Sequence, residues 1–214
     1  MTPGRFITLE GIEGAGKSTA ARFAGAWLAE HGIKVRLTRE PGGTPLAERV
    51  RQIVLERGAE PVAPVTETLL MFAARALHVT AVIAPALGQG EWVVCDRFTD
   101  ATRAYQGSGR GVDPELIETL ARAVHPAVVP DLTLLLDLPV AAGLARARAR
   151  TGAAADRFEA EAVAFFDKVR AGYLALARAE PGRFRVIDAG APLAAVQRRV
   201  AQALAEIMPG GSSA

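Results

Sequence analysis

Five short runs of mostly apolar and β-branched residues punctuate the chain, at 5–10, 34–39, 92–96, 132–137 and 184–188. Runs of that length bounded by turn residues read as buried strands. Between them, apolar positions recur at helical spacing. Strands alternating with helices imply right-handed crossovers and a parallel sheet covered by helices on both faces. The expected fold is therefore α/β, a five-stranded parallel sheet in a single domain over 1–214, with no internal repeat and no dividing linker. In such a fold the ligand crevice lies beyond the carboxyl ends of the strands. Three of those ends carry charge, as Arg39-Glu40, Asp96-Arg97 and Asp137.

The helical segments have readable ends. The first, 18–31, stops at Gly32, a C′ glycine. Thr44 is an N-cap with Pro45 in the first turn, predicting a helix to about residue 57. Arg49 there reads as part of a solvated face. A helix over 64–84 is apolar on more than one side, through Leu69, Leu70, Met71, Phe72, Leu77, Val79, Val82 and Ile83. Such a helix is buried in the core or in a subunit interface. Arg75 interrupts it, either snorkelling to water or reading a ligand. If 99–106 is helical, Thr102, Tyr105 and Gln106 share a polar-aromatic face suited to a base and sugar. Gly107 then stops the helix, 107–111 is a flexible loop, and Asp113-Pro114 restarts a helix. Long helices follow at 159–179 and 192–208, and 210–214 reads as a frayed tail.

Between the first strand and the first helix lies Gly11-Ile12-Glu13-Gly14-Ala15-Gly16-Lys17-Ser18, which fits G-x-x-x-x-G-K-[ST] at every fixed position. The order strand, glycine turn, helix is what a phosphate site requires. Glycines let backbone N–H groups converge on phosphate oxygens, and the helix N-terminus adds its positive dipole end. Lys17 is placed to bridge the outer phosphates and Ser18 to ligate Mg²⁺. Further on, Arg146, Arg148 and Arg150 alternate before the small-residue stretch 151–155. Alone they are a solvated helix end; beside a P-loop, an arginine-rich segment leading into a loop tip is what a phosphate-covering lid looks like, here over 146–158.

Composition changes this picture little. Half the residues are apolar, and the net charge of +2 with only three lysines gives no argument for nucleic-acid binding. The single cysteine, Cys95, cannot form an internal disulfide, which suits a cytoplasmic setting. No secretory stretch opens the chain and no apolar run nears membrane length, so no membrane partner is expected. The chain contains no asparagine, so the guanine-reading N-K-x-D box of GTPase switches is excluded. His31, His78 and His125 lack metal-ligand spacing, and none is assigned a function.

Taken together, FITLEGIEGAGKST, TREPGGTPLAERVR, LMFAAR, DRFTDATRAYQG, PDLTLLLD and RARARTGAAADRFE make the chain resemble bacterial thymidylate kinase nearly end to end. The resemblance implies transfer of the ATP γ-phosphoryl group to dTMP with Mg²⁺, supplying dTDP for dTTP and DNA synthesis, in a homodimer. It implies that Gly11 to Ser18, with Thr19, hold ATP. Glu13 faces the dTMP sugar, Arg51 and Arg97 hold the acceptor phosphate, and Asp96 lies near the metal with Ser18. Arg75, Thr102 and Gln106 read thymine, and Tyr105 lies against the deoxyribose. Glu40, Met71 and Phe72 complete the dTMP set. The family often has phenylalanine four residues before Arg75, where this chain has Met71, with Phe72 next to it. Arg103 stands where a neutral residue is common. Since the P-loop offers no arginine, the resemblance assigns catalytic charge to Lys17, Arg97 and the lid residues Arg148 and Arg150, with Arg150 foremost. Other readings are a P-loop kinase with another nucleoside or nucleotide acceptor, and an ATP-driven switch or ATPase module.

Overall fold

Strands form where the apolar runs predict them: β1 (Phe6–Glu10), β2 (Val35–Arg39), β3 (Trp92–Asp96), β4 (Leu132–Asp137) and β5 (Phe184–Asp188). In this computed structural model, which describes residues 4–55, 62–151 and 159–209, they form one parallel sheet in the order β2-β3-β1-β4-β5. β1 is central, pairing with β3 on one side and β4 on the other. The chain builds one half of the sheet through β2 and β3, then crosses β1 to β4. The crevice created by that reversal opens beside the carboxyl end of β1.

Side chains alternating along the strands divide the core into two faces. Ile7, Leu9, Val94 and Leu134 pack with Ala24 and Leu28 of α1 (Lys17–Glu30), with Val169 and Tyr173 of α8 (Glu159–Ala179), and with Val200 and Leu204 of α9 (Leu193–Glu206). On the opposite face, Phe6, Val93 and Cys95 meet Val79, Ile83 and Phe98.

Helices α2 (Pro45–Leu55), α3 (Pro64–His78) and α6 (Pro114–Val124) begin at the expected starts, and α7 (Val140–Thr151) follows β4. The Thr44 hydroxyl accepts from the Ala47 N–H and the Asp113 carboxylate from the Glu115 N–H. Two expectations change. First, α3 does not stop near 84; it continues through a π-helical turn (Val79–Ile83) into α4 (Ala84–Gly88). The continuous Pro64–Gly88 helix is 25 residues long with a mean hydropathy of 1.7, so a helix long and apolar enough to cross a membrane does exist, contrary to the sequence reading. Its middle nevertheless carries Arg75 and His78, both buried and bound to Glu40. Second, α5 (Thr99–Thr102) runs into a π-helical segment, Arg103–Gly109, so Gly107 is not a stop and 107–109 is not a free loop. The reason is packing. A Cβ on Gly109 would meet Phe165 at 2.6 Å and Val169 at 2.9 Å, so this glycine lets α8 lie close to the segment. The segment at 210–214, read as a frayed tail, lies outside the described residues, as does 152–158 of the expected lid.

Candidate active site

The P-loop turns between β1 and α1. Gly14 has φ +74°, and a Cβ there would strike the backbone carbonyl of Gly143, so α7 docks directly on the loop. Lys17 is buried and its Nζ donates to the Gly11 and Ile12 carbonyls at 2.9 and 2.8 Å. Burial, with the charge of Arg97 second, pushes its ammonium down to about 7. A phosphate beside it would restore the charge. The Ser18 hydroxyl donates to Asp96 Oδ2 at 2.7 Å, joining the start of α1 to the end of β3.

Arg97 follows Asp96 with φ +74°, a left-handed conformation that costs a residue with a side chain ~1–3 kcal/mol. The turn aims its guanidinium back over the sheet edge. There it donates to the Tyr105 hydroxyl at 2.9 Å and to Glu13 at 3.5 Å, with its guanidinium carbon 4.6 Å from the Tyr105 ring centroid. The Tyr105 hydroxyl in turn donates to Glu13 at 3.4 Å. Burial pushes Tyr105 up to about 12, so it stays a neutral donor. Beneath them Glu10 accepts from the Phe98 N–H and the Tyr173 hydroxyl, both at 2.8 Å.

One cleft of about 610 Å³ runs from Gly14, Lys17, Ser18 and Asp96 past Glu13, Arg51 and Arg97 to Glu40, Met71, Thr102, Tyr105 and Gln106. Arg51 is held by the Pro41 carbonyl at 2.9 Å. Thus the residues assigned to the acceptor by resemblance converge on one cavity, with two qualifications. Phe72 does not line it. At 2% exposure it packs with Val112 and Ile117, and Met71 takes the wall instead. Helix geometry explains the exchange: neighbouring positions lie about 100° apart, so only one can face the cleft. Arg75 is also 2% exposed, so it does not snorkel to water. It lies behind the wall, with Nε donating to Glu40 Oε2 at 2.7 Å and Nη2 to the Phe98 carbonyl and Thr102 Oγ1 at 3.2 and 3.1 Å. Its Nη1 is buried and has no partner among the described residues.

Some residues of the cleft carried no signal in the sequence reading. Glu67 accepts from Gln106 at 2.7 Å and pairs with Arg110 at 3.3 Å, and both line the cavity. Arg110, inside a glycine-rich segment beside the Gln106 helix, was the available clue. Tyr173 reaches Arg97 at 3.3 Å from α8, and nothing local announces it. Arg103 turns out to be structural, donating to Glu118 at 2.7 and 2.8 Å and to Asp100 at 2.8 Å. Asp137 is likewise held by Arg170, at 2.7 and 2.8 Å. Arg49 is exposed, as the solvated-face reading expects.

A second cleft, about 330 Å³, lies behind the P-loop between Gly16, Thr19, Phe23, Arg146, Leu193 and Val196. Arg146 is fixed there by a 2.9 Å bond to the Ala189 carbonyl. Position 150 falls one turn further along α7; the side chain of Arg150 lies outside what the structure describes.

A P-loop with cavities on either side, one lined by arginines, defines a P-loop phosphotransferase acting between two phosphorylated ligands. The chain belongs to the thymidylate kinase family: the family model "Thymidylate kinase" matches residues 9–200. It is 56% identical to the thymidylate kinase of Methylococcus capsulatus, over 98% of this chain and 99% of that protein. It is 57% identical to that of Alkalilimnicola ehrlichii, over 96% and 94%. The crystal structure of thymidylate kinase from Ehrlichia chaffeensis superposes with a TM-score of 0.74 at 36% identity, covering 94% of this chain and 99% of that one.

Proposed function

We propose that the chain transfers the ATP γ-phosphoryl group to dTMP, with the residues of the two clefts in the following roles. The observation that carries the assignment is the single cavity joining Lys17, Ser18 and Asp96 to Arg51, Arg97, Thr102, Tyr105 and Gln106. The P-loop amides of Gly11 to Ser18 cradle the ATP phosphates, and the cavity behind the P-loop, with Thr19 and Arg146 on its wall, takes the adenosine end. Arg51 and Arg97 hold the acceptor phosphate, which planar guanidinium forks do bidentately. Met71, Thr102 and Gln106 line the base end. Tyr105, locked between Arg97 and Glu13, crowds the position of a ribose 2′-OH.

Phosphoryl transfer demands alignment and neutralised charge rather than covalent help from the protein. Two phosphate groups repel as they approach; Lys17, Arg97, and the α7 residues Arg148 and Arg150 supply the compensating charge. The residues present also suit Mg²⁺. Ser18 and Asp96 offer adjacent hard oxygens, and Mg²⁺ is bound by one or two protein oxygens with phosphates and waters. Bound there, it would neutralise charge on the ATP phosphates. We place the enzyme in the cytoplasm and read it as a homodimer through the exposed side of α3.

A coupled ADP-release screen over nucleoside monophosphates, with and without acceptor, tests the reading. The expected outcome is turnover strongly preferring dTMP over dCMP and over the thymine ribonucleotide. Equal ATP hydrolysis without acceptor would favour an ATPase module, and preference for another monophosphate would move the acceptor assignment.

A further inference from the structure

We propose that His78 is a positioning residue for nucleobase selection: through Glu40 it fixes the guanidinium of Arg75 behind the acceptor cleft. The proposal rests on the dTMP reading above. His78 is fully buried, and its two ring nitrogens are both engaged. Nδ1 lies 3.0 Å from Glu40 Oε1, and Nε2 lies 2.6 Å from Thr38 Oγ1 on β2. A carboxylate only accepts, so Nδ1 carries the proton in this contact. The other Glu40 oxygen, Oε2, receives Arg75 Nε at 2.7 Å. The carboxylate is thereby pinned at both oxygens, between His78 and Arg75.

Arg75 is held in two senses. Phe72 and Phe98 lie 4.6 and 5.2 Å from its guanidinium carbon and fix the plane of the group. Rotation within that plane is set by Glu40 on one side and by Thr102 and the Phe98 carbonyl on the other. Its Nη1 is a buried donor with no partner among the described residues, while Glu40 and Thr102, which bind the group's other nitrogens, line the cleft. Leaving such a donor unmet is unfavourable, so a ligand carbonyl that reaches it from the cleft gains the bond. Guanidinium only donates, so it accepts the O4 carbonyl of thymine and rejects the exocyclic amine that cytosine carries at the same ring position. Selectivity then depends on Nη1 being held still, and His78 is the outermost support of that arrangement.

His78 also carries the turn that delivers Glu40. Gly43 has φ +87°, and a Cβ there would collide with the His78 ring, so the 41–43 turn closes directly onto the imidazole. That turn includes the Pro41 carbonyl that holds Arg51.

The experiment is steady-state kinetics of the full-length parent, His78→Ala, His78→Asn and His78→Gln, with thermal melts of each. Asparagine places an amide nitrogen where Nδ1 stood and keeps the bond to Glu40. Glutamine reaches the position of Nε2 and serves Thr38 instead. For His78→Ala we expect KM for dTMP to rise about tenfold or more, and the preference for dTMP over dCMP to fall by a similar factor; kcat and KM for ATP stay within about threefold. His78→Asn should recover most of the dTMP affinity and preference, and His78→Gln should not. If His78→Ala does not fold, the asparagine and glutamine pair decides alone. The proposal is overturned if dTMP affinity and preference stay within about twofold of the parent, if KM for ATP rises as much as that for dTMP, or if glutamine restores selectivity as well as asparagine. A parent that does not phosphorylate dTMP would instead sink the underlying reading, before any variant is compared.

Discussion

Glu10 ends the central strand, at the point where the P-loop begins, and its side chain turns into the sheet rather than toward ligand. Burial, reinforced by the negative charge of Asp100, pushes its carboxyl from 4.5 up to about 8. Folded chains therefore keep a proton on Glu10 at pH values where unfolded chains have released it. The stability this contributes is fully present below about pH 4.5 and is lost as pH rises through about 8. His125 works the other way, since burial lowers its pKa and folding then favours its neutral form. A comparison of parent with Glu10→Gln separates the two. Glutamine can still accept from the Phe98 N–H and donate to Tyr173, but it cannot titrate. Between pH 5.5 and 7.5, urea melts of the parent should lose stability more steeply than those of the variant, by up to ~1.4 kcal/mol per pH unit for one proton. Parallel slopes would show that Glu10 is ionised in the fold throughout that range.

At the scale of elements, α3 has two sides with different work. Its inner side places Phe72, Arg75 and His78, while Val65 and Leu69 stand 46% and 49% exposed, with Ala73 exposed one turn further on. Apolar positions repeating at i, i+4 and i+8 on an uncovered face mark an interaction surface. If this face joins two copies, burying more than ~1,000 Å² in total, the parent sediments as a dimer at micromolar concentration and Leu69→Glu shifts it to monomer. A monomeric parent would remove the idea. Periodicity alone had revealed that this helix is apolar on several sides, and it located every strand; the P-loop was legible from its motif. It did not reveal which of Met71 and Phe72 faces the cleft, because neighbouring apolar residues look alike until the packing partner is known. Nor did it distinguish a glycine that stops a helix from one that admits another helix, which is why Gly109 was read as loop. Residues such as Tyr173 and Glu67 enter the site by tertiary approach, and no local pattern encodes that.

For the molecule as a whole, the decisive arrangement is α7 lying on the P-loop, since on the reading proposed above it carries arginines from the adenosine side toward the phosphates. The contact is intimate: a Cβ on Gly143 would come 2.6 Å from the Glu13 carbonyl. The arginines along this helix are not equivalent. Arg146 is tied to the Ala189 carbonyl and lines the cleft behind the P-loop, so its loss should raise KM for ATP. Position 150, one turn beyond, is nearest the segment expected to cover the phosphates, and the P-loop itself supplies no arginine between Gly11 and Ser18. Arginines that meet charge developing on a moving phosphoryl group are worth ~10³–10⁵ in turnover in other systems. Charge used only in the transition state lowers kcat more than it raises either KM. Arg150→Ala is accordingly expected to lose kcat by tenfold or more, ~1.4 kcal/mol of barrier, with KM for dTMP little changed. Steady-state kinetics of Arg146→Ala, Arg148→Ala and Arg150→Ala side by side provide the check. A kcat for Arg150→Ala within about threefold of the parent removes that residue from the chemistry, and a large kcat loss in Arg148→Ala instead would move the catalytic charge two positions back along the same helix.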